Sequence, residues 1–165
     1  MHVERHLQSS TNRSVWAAGD SADTAGMPLT PVAVSEAKVA ASNMLNGTTT
    51  PDYTGIPTRR LHRPRAGARR PVRSRGQRPG ARRRDRYSDT SNWYSSYRIG
   101  GSTDAAKILI DRASDRVVGA HLLGPECGEL ATTLGVAIKL GLTTRRLRSA
   151  TAAYPTLGSD LGSLL

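Results

Sequence analysis

Few residues of this 165-residue sequence combine a reactive side chain with a spacing that supports chemistry. The single cysteine, Cys127, excludes an intramolecular disulfide framework, a CxxC redox pair and a zinc site built from several cysteines. The four histidines, His2, His6, His62 and His121, are not clustered as metal ligands are, and His121 falls on a predicted strand. We therefore predict no metal site, and we interpret Cys127 and His121 as structural residues.

Two short motifs in the first third of the chain have the chemistry of a ligand contact. Asp20 follows the apolar run 14–18 through a glycine, which predicts a carboxylate in the turn after a buried strand. Thr30 and Pro31 predict a helix start, with Thr30 as N-cap. A carboxylate pairs with hydroxyl groups, and free amides at a helix start favour negative charge. The same residues are also ordinary turn and capping residues, so the local pattern leaves both interpretations open.

The helices and strands that must position these residues are predicted from the spacing of apolar residues and from turn and capping residues. In the first part, a helix from Thr30 carries small and apolar residues at helical spacing and ends at Asn46-Gly47. These residues are Ala33, Ala37, Ala40, Ala41, Met44 and Leu45. In the last part, the pattern predicts a β-hairpin followed by helices. The predicted ranges are strand 106–111, turn 112–115, strand 116–123, helix 126–140, a short helix capped at 143–144 and running to 148, and a final helix within 157–165.

The positive charge of the chain is concentrated in one segment. Arg59–Arg86 contains 13 arginines and one acid, Asp85, so the segment carries a net charge of +12. The whole chain has a net charge of +11, so the remaining residues together carry −1. With almost nothing to bury, this segment cannot offset an ordering cost of roughly 1–2 kcal/mol per residue, and we predict that it is disordered. No apolar run approaches the ~20 residues of a membrane span, and residues 1–10 lack the apolar region of a secretory signal. We expect a cytoplasmic protein without a membrane segment.

Two stretches resemble a known family. VWAAGDSADTAGMPLTPVAVSEAKVAASNMLNG is similar to the end of the FAD domain of pyridine nucleotide–disulfide oxidoreductases, which include glutathione reductase, mercuric reductase and dihydrolipoyl dehydrogenase. KILIDRASDRVVGAHLLGPECGELATTLGVAIKLGLT, with AAYPTLGSDL, resembles their C-terminal dimerisation domain. The order AGD, LTP, GAHLLGP and PT carries the resemblance, which covers 1–58 and 87–165.

The resemblance implies an α+β chain in three parts. Residues 1–58 would be the tail of an FAD-binding Rossmann half, and residues 87–165 would be an antiparallel-sheet-plus-helices dimerisation domain that forms a homodimer. Between them lies 59–86, the Arg-rich segment. The family continues after IPT with a strand of this domain's sheet, and the arginine segment stands in its place. We therefore expect an incomplete sheet with an exposed edge.

The family also implies which residues contact a cofactor. Gly19 and Asp20 occupy the AGD motif, whose aspartate holds the flavin's ribityl chain, and Leu29 and Thr30 occupy the LTP helix start that points at the flavin ring. The implied cofactor is FAD, with NAD(P)H as the second cofactor of the intact enzymes.

The sequence departs from working family members at the residues that do the chemistry. It contains no strand–GxGxxG–helix unit and no redox-active cysteine pair. Tyr154 and Ser159 stand at the family's catalytic histidine and glutamate positions, with Asp160 alongside. A tyrosine with a pKa near 10 is a poor general base at neutral pH. We therefore name no catalytic residue, and expect a truncated relative that associates and is not catalytic alone.

Three interpretations of Arg59–Arg86 remain open. The segment could be a nucleic-acid-binding arm, with Tyr87, Trp93, Tyr94 and Tyr97 stacking on bases, which would make the chain a basic nucleic-acid-binding protein. It could also be a solvated linker with only non-specific affinity for polyanions.

The third interpretation is a frame change. Residues 59–73, RRLHRPRAGARRPVR, written in GC-rich codons and read one base later, encode VVFTDPALARVGLS. The family continues after IPT with a strand of the type VVFTDPALARVGLSE. Two compensating frame changes that bracket 59–86 would explain the arginine excess and the absence of phenylalanine together.

Resequencing the genomic DNA through codons 59–86, and several hundred bases upstream, tests the frame change. We expect the shifted frame to encode the family strand, and an upstream frame to encode the GxGxxG and cysteine motifs. A confirmed frame whose shifted translation lacks the family strand would make the arginine segment original.

Overall fold

The computed structural model describes residues 1–58 and 83–165. These residues form two units, Met1–Ile56 and Pro57–Leu165. Within the described parts of the chain, no helix has the length and apolar composition needed to cross a bilayer.

The first unit is built around one helix. A short 3₁₀ turn, Gly19–Ser21, precedes helix α1, Thr30–Met44. The strand expected over 14–18 is wrong, because only a single bridge forms there, between Trp16 and Gln8, with one main-chain hydrogen bond on each side of it. Leu7 has a positive φ of 70°, which bends the opposite segment away from a regular ladder.

Helix α1 begins one residue earlier than its composition suggests. Leu29 has the extended backbone of an N-cap, so Thr30 is the first helical residue and its expected capping role is wrong. The buried positions are Val32, Glu36, Ala40 and Asn43, whereas most of the expected apolar series is exposed. Asn46, with φ 67°, ends the helix in the left-handed conformation, as predicted.

The second unit contains an antiparallel sheet of three strands in the described part of the chain. The strands are β1, Arg83–Asp89, β2, Ala105–Asp111, and β3, Val117–Leu123, in the order β1-β2-β3. All seven residues of β1 pair with β2, from Arg83 opposite Asp111 to Asp89 opposite Ala105. The hairpin of β2 and β3 confirms the predicted one, with a register shift between Leu109 and Ile110.

Strand β1 corrects the prediction that the whole of 59–86 is disordered. Arg83 to Arg86 belong to this strand, and residues 59–82 lie outside the described part. Asp85 bridges two cations, since its Oδ1 lies 2.6 Å from Arg83 Nε and its Oδ2 lies 2.8 Å from Lys107 Nζ. Local pairing of charges therefore allows an arginine-rich sequence to join a sheet.

Helices cover one face of this sheet and form the core. They are α2, Tyr94–Arg98, α3, Cys127–Lys139, α4, Thr144–Arg148, and α5, Leu161–Leu164, with a 3₁₀ turn at Leu157–Asp160. Ile108 and Ile110 of β2 alternate onto the covered face, where Leu134 of α3 and Leu165 pack with them. Burying each such side chain contributes about 1.5–3 kcal/mol, so β2 and α3 supply most of the core.

Two polar contacts fix the ends of helices in this unit. The Thr143 side chain accepts a hydrogen bond from the Arg146 amide, which confirms it as the N-cap of α4. Asp115 in the hairpin turn accepts from the Thr144 hydroxyl at 2.7 and 2.9 Å, and this bond holds the pKa of Asp115 below its usual 3.8. This hydrogen bond stabilises the fold at pH values above 3.8. The stabilisation is lost as the pH falls through the lowered pKa of Asp115.

Arg86 ties β1 to the last helix. Its Nη1 donates to the main-chain oxygen of Leu165 at 2.5 Å and its Nη2 donates to that of Ser163 at 3.1 Å. We expect Arg86→Met to lower the free energy of unfolding of this unit by about 1 kcal/mol, because both bonds disappear.

Arg84→Met is the matched control, since this neighbouring arginine is exposed and its side chain forms no hydrogen bond with the residues that the structure describes; a change within about 0.5 kcal/mol is expected. Urea denaturation measures the free energy of unfolding of the two variants. Equal stabilities would contradict the role given to Arg86.

Candidate functional site

The AGD turn is fixed against helix α1 by its glycine. Gly19 has φ 64°, and a Cβ atom at this position would lie 2.8 Å from the Cβ of Ala33. Its amide donates to Glu36 Oε2 at 2.6 Å. Only glycine combines this backbone conformation with so close an approach to the helix.

Asp20 extends from this fixed turn into solvent. The residue is exposed, and its carboxylate forms no hydrogen bond or ion pair with any residue in 1–58 or 83–165. An exposed, unpaired carboxylate beside a rigid turn is available to accept hydrogen bonds from a hydroxylated ligand.

The start of α1 supplies the second polar element of this unit. Leu29 is half-buried and Thr30 is exposed, and no side chain caps the helix. Because the first amides of a helix have no intrahelical acceptor, the backbone here presents donors and a partial positive charge. Such a helix end stabilises a neighbouring negative charge by about 0.3–1 kcal/mol.

A buried carboxylate, which no sequence pattern had indicated, organises the loop that carries Asp20. Glu36 is only 1% exposed, and besides the Gly19 amide it accepts from the hydroxyls of Thr24 and Tyr53, each at 2.7 Å. Burial raises the pKa of Tyr53 above its usual 10.0, and Glu36 raises it further. The available signal was the spacing of Glu36, which lies one turn from both Val32 and Ala40.

The residues at the family's catalytic positions lie in the other unit and do not form an acid–base pair. Tyr154 is 73% exposed, and its ring stacks on Tyr94 with centroids 5.9 Å apart. The Ser159 hydroxyl donates to the main-chain oxygen of Thr156, and Asp160 accepts from the Ser95 hydroxyl. Neither Ser159 nor Asp160 therefore orients the phenol of Tyr154.

Tyr94 also borders an open groove of about 710 Å³. Its lining is hydroxyl groups, glycines and aromatic rings, from Ser91, Asn92, Tyr94, Tyr97, Gly100, Gly101 and Ser102. Among the residues with a described position, no three histidine, cysteine or acidic side chains are grouped to hold a metal ion.

Replacing Gly19 tests the close contact between the turn and α1. We expect Gly19→Ala to destabilise the first unit by about 2–4 kcal/mol, because a positive φ and an overpacked contact act together. Gly100→Ala is the control, since Gly100 has φ 68° but open space around the added methyl group; it should cost about 1 kcal/mol in its own unit.

The two tryptophans allow each unit to be followed separately. Trp16 reports the first unit in a Trp93→Phe background, and Trp93 reports the second in a Trp16→Phe background. Equal costs for the two alanine variants in urea denaturation would mean that the Ala33 contact has no energetic effect.

Comparisons with known proteins identify similar sequences. Residues 90–164 match the model of the pyridine nucleotide-disulphide oxidoreductase dimerisation domain. An uncharacterized 19.7 kDa protein in the mercuric resistance operon of Staphylococcus aureus is 36% identical over 166 residues, which cover 100% of this chain and 92% of that protein. Glutathione reductase of Burkholderia cepacia is 29% identical over 91% of this chain. The chain spans 33% of that enzyme's length.

Solved structures show the same fold. RclA from Escherichia coli, described as an HOCl-induced flavoprotein disulfide reductase in complex with Cu(II), aligns with a TM-score of 0.80 at 19% identity, over 98% of this chain and 36% of that one. LpdA from Mycobacterium tuberculosis aligns with a TM-score of 0.78 at 20% identity, over 99% and 35%. The chain belongs to the pyridine nucleotide–disulphide oxidoreductase family, and its residues 90–164 match the family's dimerisation domain.

Proposed function

We propose that the chain acts as an association module of this family and forms a homodimer through residues 87–165. The observation that carries this proposal is the outer side of helix α3. Leu130, Leu134 and Ala137 face the core, yet Val136 and Leu140, one turn apart, are 52% and 66% exposed. An apolar pair of this kind on a dimerisation domain is suited to contact with a second copy.

Exposed tyrosines support the same function. Tyr94, Tyr97 and Tyr154 expose more than half of their surface, and the first and last of these are stacked on each other. Tyrosine is enriched at the centres of protein interfaces because its rigid ring buries a large area at low entropic cost. The stacked pair is therefore a second candidate contact for the partner subunit.

A charge on the outer side of α3 tests the proposed dimer. We expect the wild-type chain to sediment as a dimer, and we expect Val136→Asp to raise the dissociation constant about tenfold or more, because a buried carboxylate would lack a partner. Ala113→Asp adds the same charge in the exposed hairpin turn and should leave the dissociation constant unchanged. A monomeric wild type, or equal constants for all three proteins, would contradict the proposal.

We further infer that the first unit contributes part of a flavin site. The unpaired carboxylate of Asp20, on a turn that the close approach of Gly19 to Ala33 holds against α1, fits the ribityl hydroxyls of FAD. The uncapped start of α1 at Leu29 and Thr30 fits the negative charge of a reduced flavin ring. When bound, FAD would supply two-electron transfer with NAD(P)H.

In this proposal the chain's own residues bind and orient but do not exchange protons with thiols. Tyr154 lacks a carboxylate partner among the described residues, and its ring stacks on Tyr94. Its role is contact with the second copy. Neither truncation of an enzyme nor a cytoplasmic location has been tested, and both stay predictions.

The described end of the arginine segment does not favour nucleic-acid binding. Arg83 binds Asp85, and Arg86 binds main-chain oxygens near Leu165, so both side chains already have partners. The other arginines of 59–82 lie outside the described residues, and non-specific binding of polyanions through them stays a prediction.

A further inference from the structure

The buried carboxylate of Glu36 is a feature that the proposed association and flavin contact do not explain. Its two oxygens receive three hydrogen bonds, all from uncharged donors, namely the Gly19 amide and the hydroxyls of Thr24 and Tyr53. Within 1–58 and 83–165, no salt bridge to Glu36 is formed. A carboxylate in such a place is costly to bury, and an apolar side chain would serve helix packing better.

Two of the three donors, Gly19 and Thr24, belong to the loop 19–26 that precedes α1, and the third, Tyr53, follows the helix. Gly19 begins the AGD turn, and the Thr24 hydroxyl, which binds Glu36, also accepts from the Gly26 amide at 3.1 Å. Gly26 itself has no room for a side chain, because a Cβ atom would lie 2.8 Å from Glu36 Oε1. The carboxylate therefore holds the loop 19–26 at both ends, with exposed Asp20 between them.

Glu36 also connects the two parts of the proposed flavin site. Its side chain extends from the second turn of α1, and the uncapped amides lie at the start of the same helix. The distance between the Asp20 carboxylate and these amides consequently depends on how firmly the loop is tied to the helix. We propose that Glu36 is a positioning residue, which sets the direction of Asp20 by holding the Gly19 amide. This inference rests on the flavin contact proposed above.

The test compares Glu36→Gln with Asn43→Ala in the full chain. Glutamine keeps the shape of the side chain and removes its charge, so it weakens the charge-assisted bonds without opening a cavity. Asn43 is the matched control, because it is also a buried polar residue of α1 but ties a different segment, with bonds to Thr49 and the His6 oxygen. Thermal unfolding of both variants measures their general effect on stability.

Nuclear magnetic resonance supplies the decisive readouts. We expect Glu36→Gln to move the Gly19 amide proton upfield, to lower the backbone order of Asp20, and to lower the pKa of Tyr53. Asn43→Ala should leave all three unchanged. Unchanged Gly19 and Asp20 signals in Glu36→Gln, or equal changes in both variants, would overturn the positioning role.

Riboflavin then tests the flavin contact separately, because it has the ribityl chain and the ring but no pyrophosphate. We expect it to shift the Asp20 amide of the wild type, and we expect Glu36→Gln to weaken this binding about tenfold. If riboflavin shifts nothing in the wild type while Glu36→Gln still disorders Asp20, the flavin contact is wrong and the positioning of Asp20 stands. Equal riboflavin affinity in both proteins would contradict the positioning role.

Discussion

The second unit depends on the pairing of β1 with β2. Strand β2 supplies two of the most deeply buried side chains of the core, Ile108 and Ile110, and β1 covers the edge that would otherwise expose its backbone. An unpaired edge of a small sheet is open to water and to other chains. Seven consecutive pairs and the contact of Arg86 with the last helix therefore hold this unit together.

This pairing also explains how a strongly basic sequence enters a folded domain. Strand β1 contains three arginines, but Asp85 lies between two of them and accepts from Lys107 of the neighbouring strand. The charge is thus compensated across the sheet, where paired side chains are about 5 Å apart. The last four residues of the arginine-rich segment therefore belong to strand β1.

The sequence predicted the elements that local signals define. The hairpin of β2 and β3, helix α3 and the Thr143 cap have turn residues and apolar periodicity of their own, and they are found within one or two residues of the expected bounds. Strand β1 was not predicted, because its stability comes from pairing with residues more than 15 positions away. The strand expected at 14–18 failed for the same reason, since a strand requires a partner along its whole length.

In the candidate site, too, features with a local sequence signal were predicted and features that depend on distant contacts were not. Gly19 and Asp20 were predicted from their motif, and the structure adds the reason for the glycine in the contact with Ala33. Glu36 was missed because composition assigns a charged residue to the surface of a helix, whereas here three donors from two other segments, one before the helix and one after it, make its burial possible.

Hydrogen exchange of the β1 amides tests the account most directly, since the fold of the second unit depends on this strand. We predict that alternate amides of Arg83–Asp89 are protected to the same degree as those of β3, and that Arg86→Met lowers this protection. Amides of β1 that exchange as fast as those of an unfolded chain, while β2 and β3 remain protected, would contradict the account.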